Sequence, residues 1–167
     1  NGTIYGLPKT AHPAEAYVFL NHKLFEQAGI EIPKLDLEKE KAGQGMTWEQ
    51  LHDYANKLAK GPKDARDVYG FYPVTTNSQA VVNGIRSFGG WELDEGGKEH
   101  PVDTWKDYVM YNYDMLWKNK VSPHATELGA GGIYGLFAAE KLAMMQGGSW
   151  YWGGTKEAVG PQDGSGK

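Results

Sequence analysis

The sequence predicts an α/β fold, because strand-like apolar runs and helical stretches alternate along its 167 residues. A continuous apolar run, AYVFLN (16–21), precedes a short helical stretch, HKLFEQAG, that stops at Gly29. A second strand-like run, VYGFYPV (68–74), is rich in aromatic and β-branched residues. The length suits one domain with a sizeable core, and the chain has no internal repeat.

Thr47 begins the clearest helix of the sequence. The tetrapeptide TWEQ forms a capping box, in which the Thr47 hydroxyl accepts from the main chain three residues later and Gln50 reaches back. Apolar residues then recur on one helix face: Trp48, Leu51, Ala55 and Leu58. Gly61 and Pro62 end this helix, and the polar residues 33–46 before it form a solvated connection.

A helix and a hairpin are predicted after the second strand. The stretch NSQAVVNGIRSFGG predicts a helix from about Ser78 to Phe88, which a pair of glycines stops. The segment WELDEGGKEH (91–100) predicts a hairpin that turns at Glu95–Gly97.

The last third of the chain predicts a long helix that Asp103 caps. Four residues at helical spacing are expected to form its buried stripe: Trp105, Val109, Tyr113 and Leu116. Pro123 ends this helix, and residues 124–133 form a loop that is rich in glycine. The stretch YGLFAAEKLAMMQGG (134–148) then predicts a helix or a passage from helix to strand.

The composition excludes several classes of function. The net charge is −4 and no basic stripe is present, which argues against nucleic acid as a partner. No apolar run approaches the length of about 18 residues that a membrane span needs. The absence of cysteine excludes disulfides, thiol catalysis and cysteine-based zinc sites. The five histidines form no i, i+4 pair, so we expect neither a metal site nor a cofactor.

No reaction centre is visible in the sequence. It contains no nucleophile elbow, P-loop or HExxH motif, and GAGGIYG (129–135) has the wrong glycine spacing for dinucleotide binding. The acids Glu92, Asp94 and Glu95 lie in a predicted turn, where nothing adjacent would raise the pKa of one carboxyl group, as acid catalysis requires. We therefore expect that the chain is not an enzyme.

Two strand ends hold residues that suit a sugar, which has a C–H face and a hydroxyl edge. Trp150 and Ser149 follow a pair of glycines, so that a ligand could approach the main chain beside an indole face. The polar residues 77–79 follow the strand YGFYPV, and ligands of α/β folds bind at such strand ends. Helix capping by residues 77–78 and core packing of Trp150 remain open as alternatives.

Five segments form an ordered set along the chain: GTIYGLP (2–8), YVFLNHKLFEQAGIEIP (17–33), TWEQLHDYANKLAK (47–60), YGFYP with FGGWELDEGGK (69–98), and LFAAEKLAMMQGGSWYW (136–152). Together they resemble the extracellular solute-binding proteins of ABC importers, in the family that includes maltose-binding protein. The resemblance implies a type II periplasmic-binding-protein fold, in which two α/β lobes close on a ligand like a hinged clamp. Family members are more than twice as long, so the chain is expected to be an incomplete version of that fold.

The resemblance also implies a division of the chain and a set of site residues. Residues 1–20 correspond to the hinge strands, residues 21–154 to the second, carboxyl-terminal lobe, and residues 155–167 to a tail that we expect to be mobile. Eight residues match positions that contact ligand in the family: His12, Glu15, Asn77, Ser78, Gln79, Gly148, Ser149 and Trp150. The sequence departs from the family in lacking a Tyr before Asn21 and an aromatic residue among 77–79.

The expected function is binding, without chemistry, of an extracellular solute, most simply a mono- or oligosaccharide, for delivery to the membrane subunits of an ABC transporter. The resemblance implies a monomer in the periplasm or outside the cell, with a lipid anchor depending on a terminus outside this chain. Two alternatives stay open. A glycoside hydrolase fragment would need Glu15 to face one of the acids among 92–95. A protein-interaction module would show an exposed apolar patch on the helix from Trp105 to Trp117.

Overall fold

A computed structural model describes residues 17–34, 36, 38–39, 42, 44–73, 78–91, 98 and 102–148. Its strands and helices are, in chain order, β1 (Tyr17–Leu20), α1 (His22–Gln27), α2 (Trp48–Leu58), β2 (Tyr69–Tyr72), α3 (Ser78–Ser87), α4 (Lys106–Tyr113), α5 (Gly132–Ala138) and β3 (Leu142–Gly147). A 3-10 turn, Val102–Trp105, precedes α4, and a π-helical turn, Asp114–Lys118, continues it. The predicted α/β class is confirmed. The expected strand at 2–8, hairpin turn at 95–97 and tail at 155–167 lie outside the described residues.

The described strands form one mixed sheet in the order β1-β3-β2. β1 pairs antiparallel with β3, and β2 pairs parallel with β3, with Phe71 opposite Met144. All six residues of β3 are buried. A central strand that is covered on both faces reads as a continuous apolar run, and this is why LAMMQG shows no alternation of apolar and polar residues.

Local capping fixes the first two helices. The Asn21 side chain accepts from the Leu24 amide and begins α1, and Gly29 ends that helix with a φ of 65°. The capping box of α2 is present as predicted: the Gln50 amide donates to the Thr47 hydroxyl (3.2 Å), and the Thr47 amide donates to the Gln50 side chain (2.9 Å). Three of the four predicted face residues of α2 are buried, namely Leu51, Ala55 and Leu58, and Trp48 packs against them.

Two groups of buried side chains hold these layers together. The larger group joins α1, α2, β2 and the π-helical turn to the centre of the sheet: Leu24, Phe25, Leu51, Ala55, Leu58, Val68, Phe71, Met115, Val121, Ala143 and Met144. The smaller group joins α5 to β2 and β3: Tyr69, Ile133, Phe137, Leu142 and Met145. Helices thus supply the apolar surface that both sheet faces need.

The predicted buried stripe of the long helix is wrong. Val109 and Tyr113 are exposed, Trp105 and Leu116 are half-buried, and the buried residues on this segment are Tyr108 and Met115. Asp103 lies within the 3-10 turn and does not cap α4, and the helical segment ends at Lys118, well before Pro123.

A glycine on the neighbouring helix explains which face of α4 is buried. A β-carbon added at Gly84 of α3 would lie 2.3 Å from the Tyr108 ring, so the missing side chain makes room for that ring. Trp48 and Phe88 pack against Tyr108 and Tyr111, with ring centroids 5.3–6.4 Å apart. Much of the aromatic excess of the sequence therefore joins α2, α3 and α4.

Candidate functional site

Three chain segments meet at one edge of the sheet. Because β2 and β3 are parallel, both end at this edge, with Tyr72 opposite Met145 and Gly147 two residues beyond Met145. Because β1 is antiparallel to β3, it begins there, with Tyr17 paired to Gly147. Pro73 follows β2 and is buried, and α3 starts five residues later. The carboxyl ends of parallel strands are where open α/β sheets bind ligands.

The predicted site residues belong to the segments that leave this edge. Gly148 follows β3 directly and is buried. Its predicted contact with a ligand stays a prediction. Ser78 and Gln79 are the first two residues of α3, as the sequence predicted. The remaining predicted contacts lie outside the described residues and stay predictions: His12, Glu15, Asn77, Ser149 and Trp150.

Tyr17 is a candidate that the sequence analysis did not single out. It is the first residue of β1, it pairs with Gly147, and its side chain is 42% exposed. Its ring contacts Phe19 edge to face, with the centroids 6.4 Å apart. The sequence alone could not identify Tyr17 as a site residue. Nothing in AYVFLN shows that β1 runs antiparallel to β3 and therefore begins at the edge where β3 ends.

Within the described ranges, no group of three or more His, Asp or Glu side chains could hold a metal ion. Among the same residues, no helix has the length and apolar character that crossing a membrane requires. The acids that the glycoside hydrolase alternative needs, Glu15 and those among 92–95, lie outside the described residues.

The exposed patch that the interaction-module alternative requires is present on α4 and the π-helical turn. Four large apolar side chains on this segment are exposed: Val109, Met110, Tyr113 and Trp117. Their spacing places them along one side of the helix. That alternative also requires a buried Trp150, which lies outside the described residues.

Known structures share this fold. An ABC substrate-binding protein from Listeria monocytogenes, in complex with cycloalternan, superposes with a TM-score of 0.70 at 21% identity, over 92% of this chain and 35% of that one. A sugar transporter from Rhizobium etli in an open conformation gives 0.64 at 23% identity, over 87% and 33%. The maltose/maltodextrin-binding domain from Bdellovibrio bacteriovorus, bound to maltotriose, gives 0.60 at 19% identity, over 87% and 34%.

These superpositions confirm the mixed sheet flanked by helices as part of the periplasmic-binding-protein fold. The chain spans about a third of the length of these structures. A comparison with curated protein sequences gives no significant match. The sequence profile described as bacterial extracellular solute-binding protein matches residues 1–167. The chain therefore belongs to the bacterial extracellular solute-binding protein family, whose name places its members outside the cell.

Proposed function

We propose that the chain is the carboxyl-terminal lobe of a protein that captures an extracellular sugar or oligosaccharide and delivers it to the membrane subunits of an ABC transporter. The observation that carries the proposal is the convergence of the start of β1 with the ends of β2 and β3 at one sheet edge. Two of the similar structures were determined with cycloalternan and with maltotriose, which supports a saccharide as ligand.

Each segment at this edge has a role in the proposal. Trp150 stacks on the C–H face of a sugar ring, and Tyr17 supplies a second aromatic surface. Residues 77–79 exchange hydrogen bonds with ring hydroxyls, and residues 147–149 let the ring approach the main chain. His12 and Glu15 contact the ligand from the segment before β1. Charged and amide groups of this kind fix the orientation of a ligand that aromatic surface holds.

The remainder of the proposal concerns the whole protein. Residues 1–20 act as the hinge and residues 21–154 as one lobe, and closure onto the other lobe excludes water from the ligand. The protein binds without chemistry and needs no cofactor. It works in the periplasm or on the outer face of the cell membrane.

Tryptophan fluorescence of the chain carrying Trp117→Phe, which removes the exposed indole of the π-helical turn, tests this proposal in titrations with maltotriose, mannobiose and D-glucose. We expect a saturable change that Trp150→Ala removes. Trp91→Ala is the control, because Trp91 is exposed and its ring contacts Arg86. A saturable change that survives Trp150→Ala contradicts the proposed site. No response of the full-length protein to any saccharide contradicts the proposed ligand class.

A protein-interaction module is the second candidate, favoured by the exposed side chains on α4 and the π-helical turn. Replacing Val109 and Tyr113 by Ser separates the two candidates. It leaves saccharide binding unchanged if the strand ends form the site, and it abolishes capture of a transporter membrane subunit if this helix is the contact surface.

A further inference from the structure

A cleft of about 110 Å³ opens at the other end of β2, beside the first residue of that strand. Its lining comes from the turn before β2, from the π-helical turn, and from the two segments that follow it. The residues that matter for binding are Asp64, Tyr69, Trp117, Lys120, Ser122 and Glu127. This cleft is distinct from the edge where β2 and β3 end.

The main chain around the cleft has two unusual features. The π-helical turn brings Trp117 to the cleft wall, and such turns occur frequently at functional sites. Lys120 has a φ of 51°, which is costly for a residue with a side chain and persists only where the surroundings impose it. Arg66 imposes it here, because its guanidinium donates to the carbonyl oxygens of Lys120 and Asn119, each at 3.0 Å.

The polar groups of the cleft include an unsatisfied one. Ser122 is 2% exposed, and its hydroxyl has no hydrogen-bond partner. A buried hydroxyl without a partner is costly, so its presence in a cleft wall points to a ligand. Burial, together with a hydrogen bond to Glu127, raises the pKa of Tyr69, so its phenol stays neutral. Glu127 is held in place by the His124 amide, which donates to its carboxylate at 2.6 Å.

The charges of the cleft balance. Lys120 forms an ion pair with Asp64, which lowers the pKa of that carboxyl group and keeps it ionised. Lys63 donates to the main-chain carbonyl of Lys118, so the cleft lining holds two lysines, Lys63 and Lys120, and two carboxylates, Asp64 and Glu127. Because positive and negative groups are equal in number, neither an anion nor a cation is favoured. A hydroxyl group, which both donates and accepts, matches this set.

One aromatic surface completes the cleft. The Trp117 indole is 52% exposed, and the His124 ring packs against it edge to face with the centroids 4.1 Å apart. This contact fixes the plane of the indole while leaving part of it open. An oriented indole beside donors and acceptors suits a ring with a C–H face and a hydroxyl edge. The volume, well below the roughly 300 Å³ of a drug-sized site, limits the ligand to one ring or a short polyol.

We propose that the cleft formed by Trp117, Ser122 and Tyr69 is a second ligand site, which takes the hydroxyl edge of one neutral sugar ring or polyol. It does not depend on the proposed function of the opposite sheet edge. It differs from that site in that the residues proposed to bind the ligand all lie in the described part of the chain.

Indole N–H signals in ¹H–¹⁵N NMR spectra of the chain test this proposal. Trp117→Phe and Trp91→Phe assign the two signals, and D-mannitol, D-glucose and sodium phosphate serve as probes. We expect the Trp117 signal to shift saturably with mannitol or glucose, in the original chain and in a Trp150→Ala background, while the Trp91 signal does not. Ser122→Ala keeps the fold, because its hydroxyl has no partner, and weakens binding about fivefold.

Three results would overturn the proposal: no saturable shift at Trp117, a shift with phosphate alone, or loss of the shift in the Trp150→Ala background. The last result would assign the binding to the strand ends and leave the proposed function intact. The opposite result is a Trp117 shift that persists in the Trp150→Ala background, together with saccharide titrations that Trp150→Ala does not change. This result supports the cleft as a site and contradicts the site at the strand ends.

Discussion

The main chain of Gly70 in β2 lies directly against the main chain of Ala55 in α2. A β-carbon added at Gly70 would lie 2.0 Å from the Ala55 carbonyl oxygen and 2.6 Å from its α-carbon. Because both obstacles are backbone atoms, no side-chain rotation relieves the overlap. The strand and helix that support the larger part of the core are thus held at a separation that only glycine permits.

We expect Gly70→Ala to lower the free energy of unfolding by about 3 kcal/mol or more, because α2 must move away from the sheet. Chemical denaturation followed by circular dichroism measures this change. Gly135→Ala in α5 is the control, since a β-carbon there meets nothing within 4 Å and alanine favours helix, so stability should rise by about 0.5–1 kcal/mol. Equal effects of the two substitutions would show that the Gly70 contact is not formed.

Two methionines on the same helical segment test which of its faces is buried. Met115 is fully buried and Met110 is 45% exposed. Met115→Ala should cost about 2–5 kcal/mol through the cavity it leaves, whereas Met110→Ala should cost less than about 0.5 kcal/mol. Thermal unfolding of both variants makes the comparison. A larger loss at Met110 would contradict the burial of Met115 and the exposure of Met110.

We expect substitutions of the two capping-box residues of α2, Thr47 and Gln50, to lower the stability in a coupled way. Thr47→Ala should lower the free energy of unfolding by about 1 kcal/mol, because the Gln50 amide loses its acceptor. Gln50→Ala removes the reciprocal bond to the Thr47 amide. A double-mutant cycle by urea denaturation should show that the two losses do not add. Additive losses would mean that the two hydrogen bonds form independently.

Because the protein buries several tyrosines, we expect its free energy of unfolding to fall at alkaline pH. Burial raises the pKa of Tyr69, Tyr108 and Tyr111 above the ordinary value of 10.0. Below that value both states bind the phenolic proton and stability is unaffected. Above it, the unfolded chain loses protons that the folded chain keeps, so the free energy of unfolding falls as pH rises.

Tyrosinate absorbance and circular dichroism, followed together from neutral to alkaline pH, check this. The buried tyrosines should ionise only as the fold is lost. Tyr111→Phe should flatten the fall in stability above pH 10.0, although it costs about 1 kcal/mol at neutral pH through the lost bond to the Trp48 carbonyl. Tyr113→Phe, which alters an exposed ring, should leave the stability at neutral pH unchanged. Complete ionisation of a folded protein would contradict the prediction.

We expect Tyr17 to contribute to ligand binding, and this prediction rests on the proposed function. Tyr17→Ala should weaken saccharide binding by about tenfold, through loss of one aromatic contact of about 1 kcal/mol or slightly more. Tyr113→Ala, which removes an equally exposed ring on α4, should leave binding unchanged. Calorimetric titration with maltotriose distinguishes the two variants. Similar effects of both would remove Tyr17 from the site.

The sequence predicted those elements whose helix caps, stops and apolar runs depend on interactions between residues close together in the chain. The capping box at Thr47, the stop at Gly29 and the apolar run that forms β1 were predicted from the sequence, because each acts within a few residues. The strand β3 was predicted only as one of two possibilities, a helix or a passage from helix to strand. The buried face of α4 was not readable, since aromatic residues occupy more than one side of it and a glycine on another helix decides between them. The same limit applies to binding sites.

The position of the candidate site at the strand ends followed from the α/β pattern alone, whereas Tyr17 needed the antiparallel direction of β1. The cleft at Trp117 was not predicted at all. Its lining comes from four separate stretches of the chain, and no single stretch contains more than a few of its residues. The hydrogen bonds of Arg66, the Lys120–Asp64 ion pair and the π-helical turn bring these stretches together in the folded chain.

The order β1-β3-β2 has a consequence for how the chain folds as it is made. Within the described residues, both outer strands pair only with β3, the last of these three strands to be synthesised. Until Leu142 and the residues after it have been made, β1 and β2 therefore lack the strand that joins them, and pairing Tyr17 with Gly147 closes a long loop. Such long-range pairing is slow. The apolar residues of β1 and β2 consequently stay uncovered by this sheet until β3 has emerged.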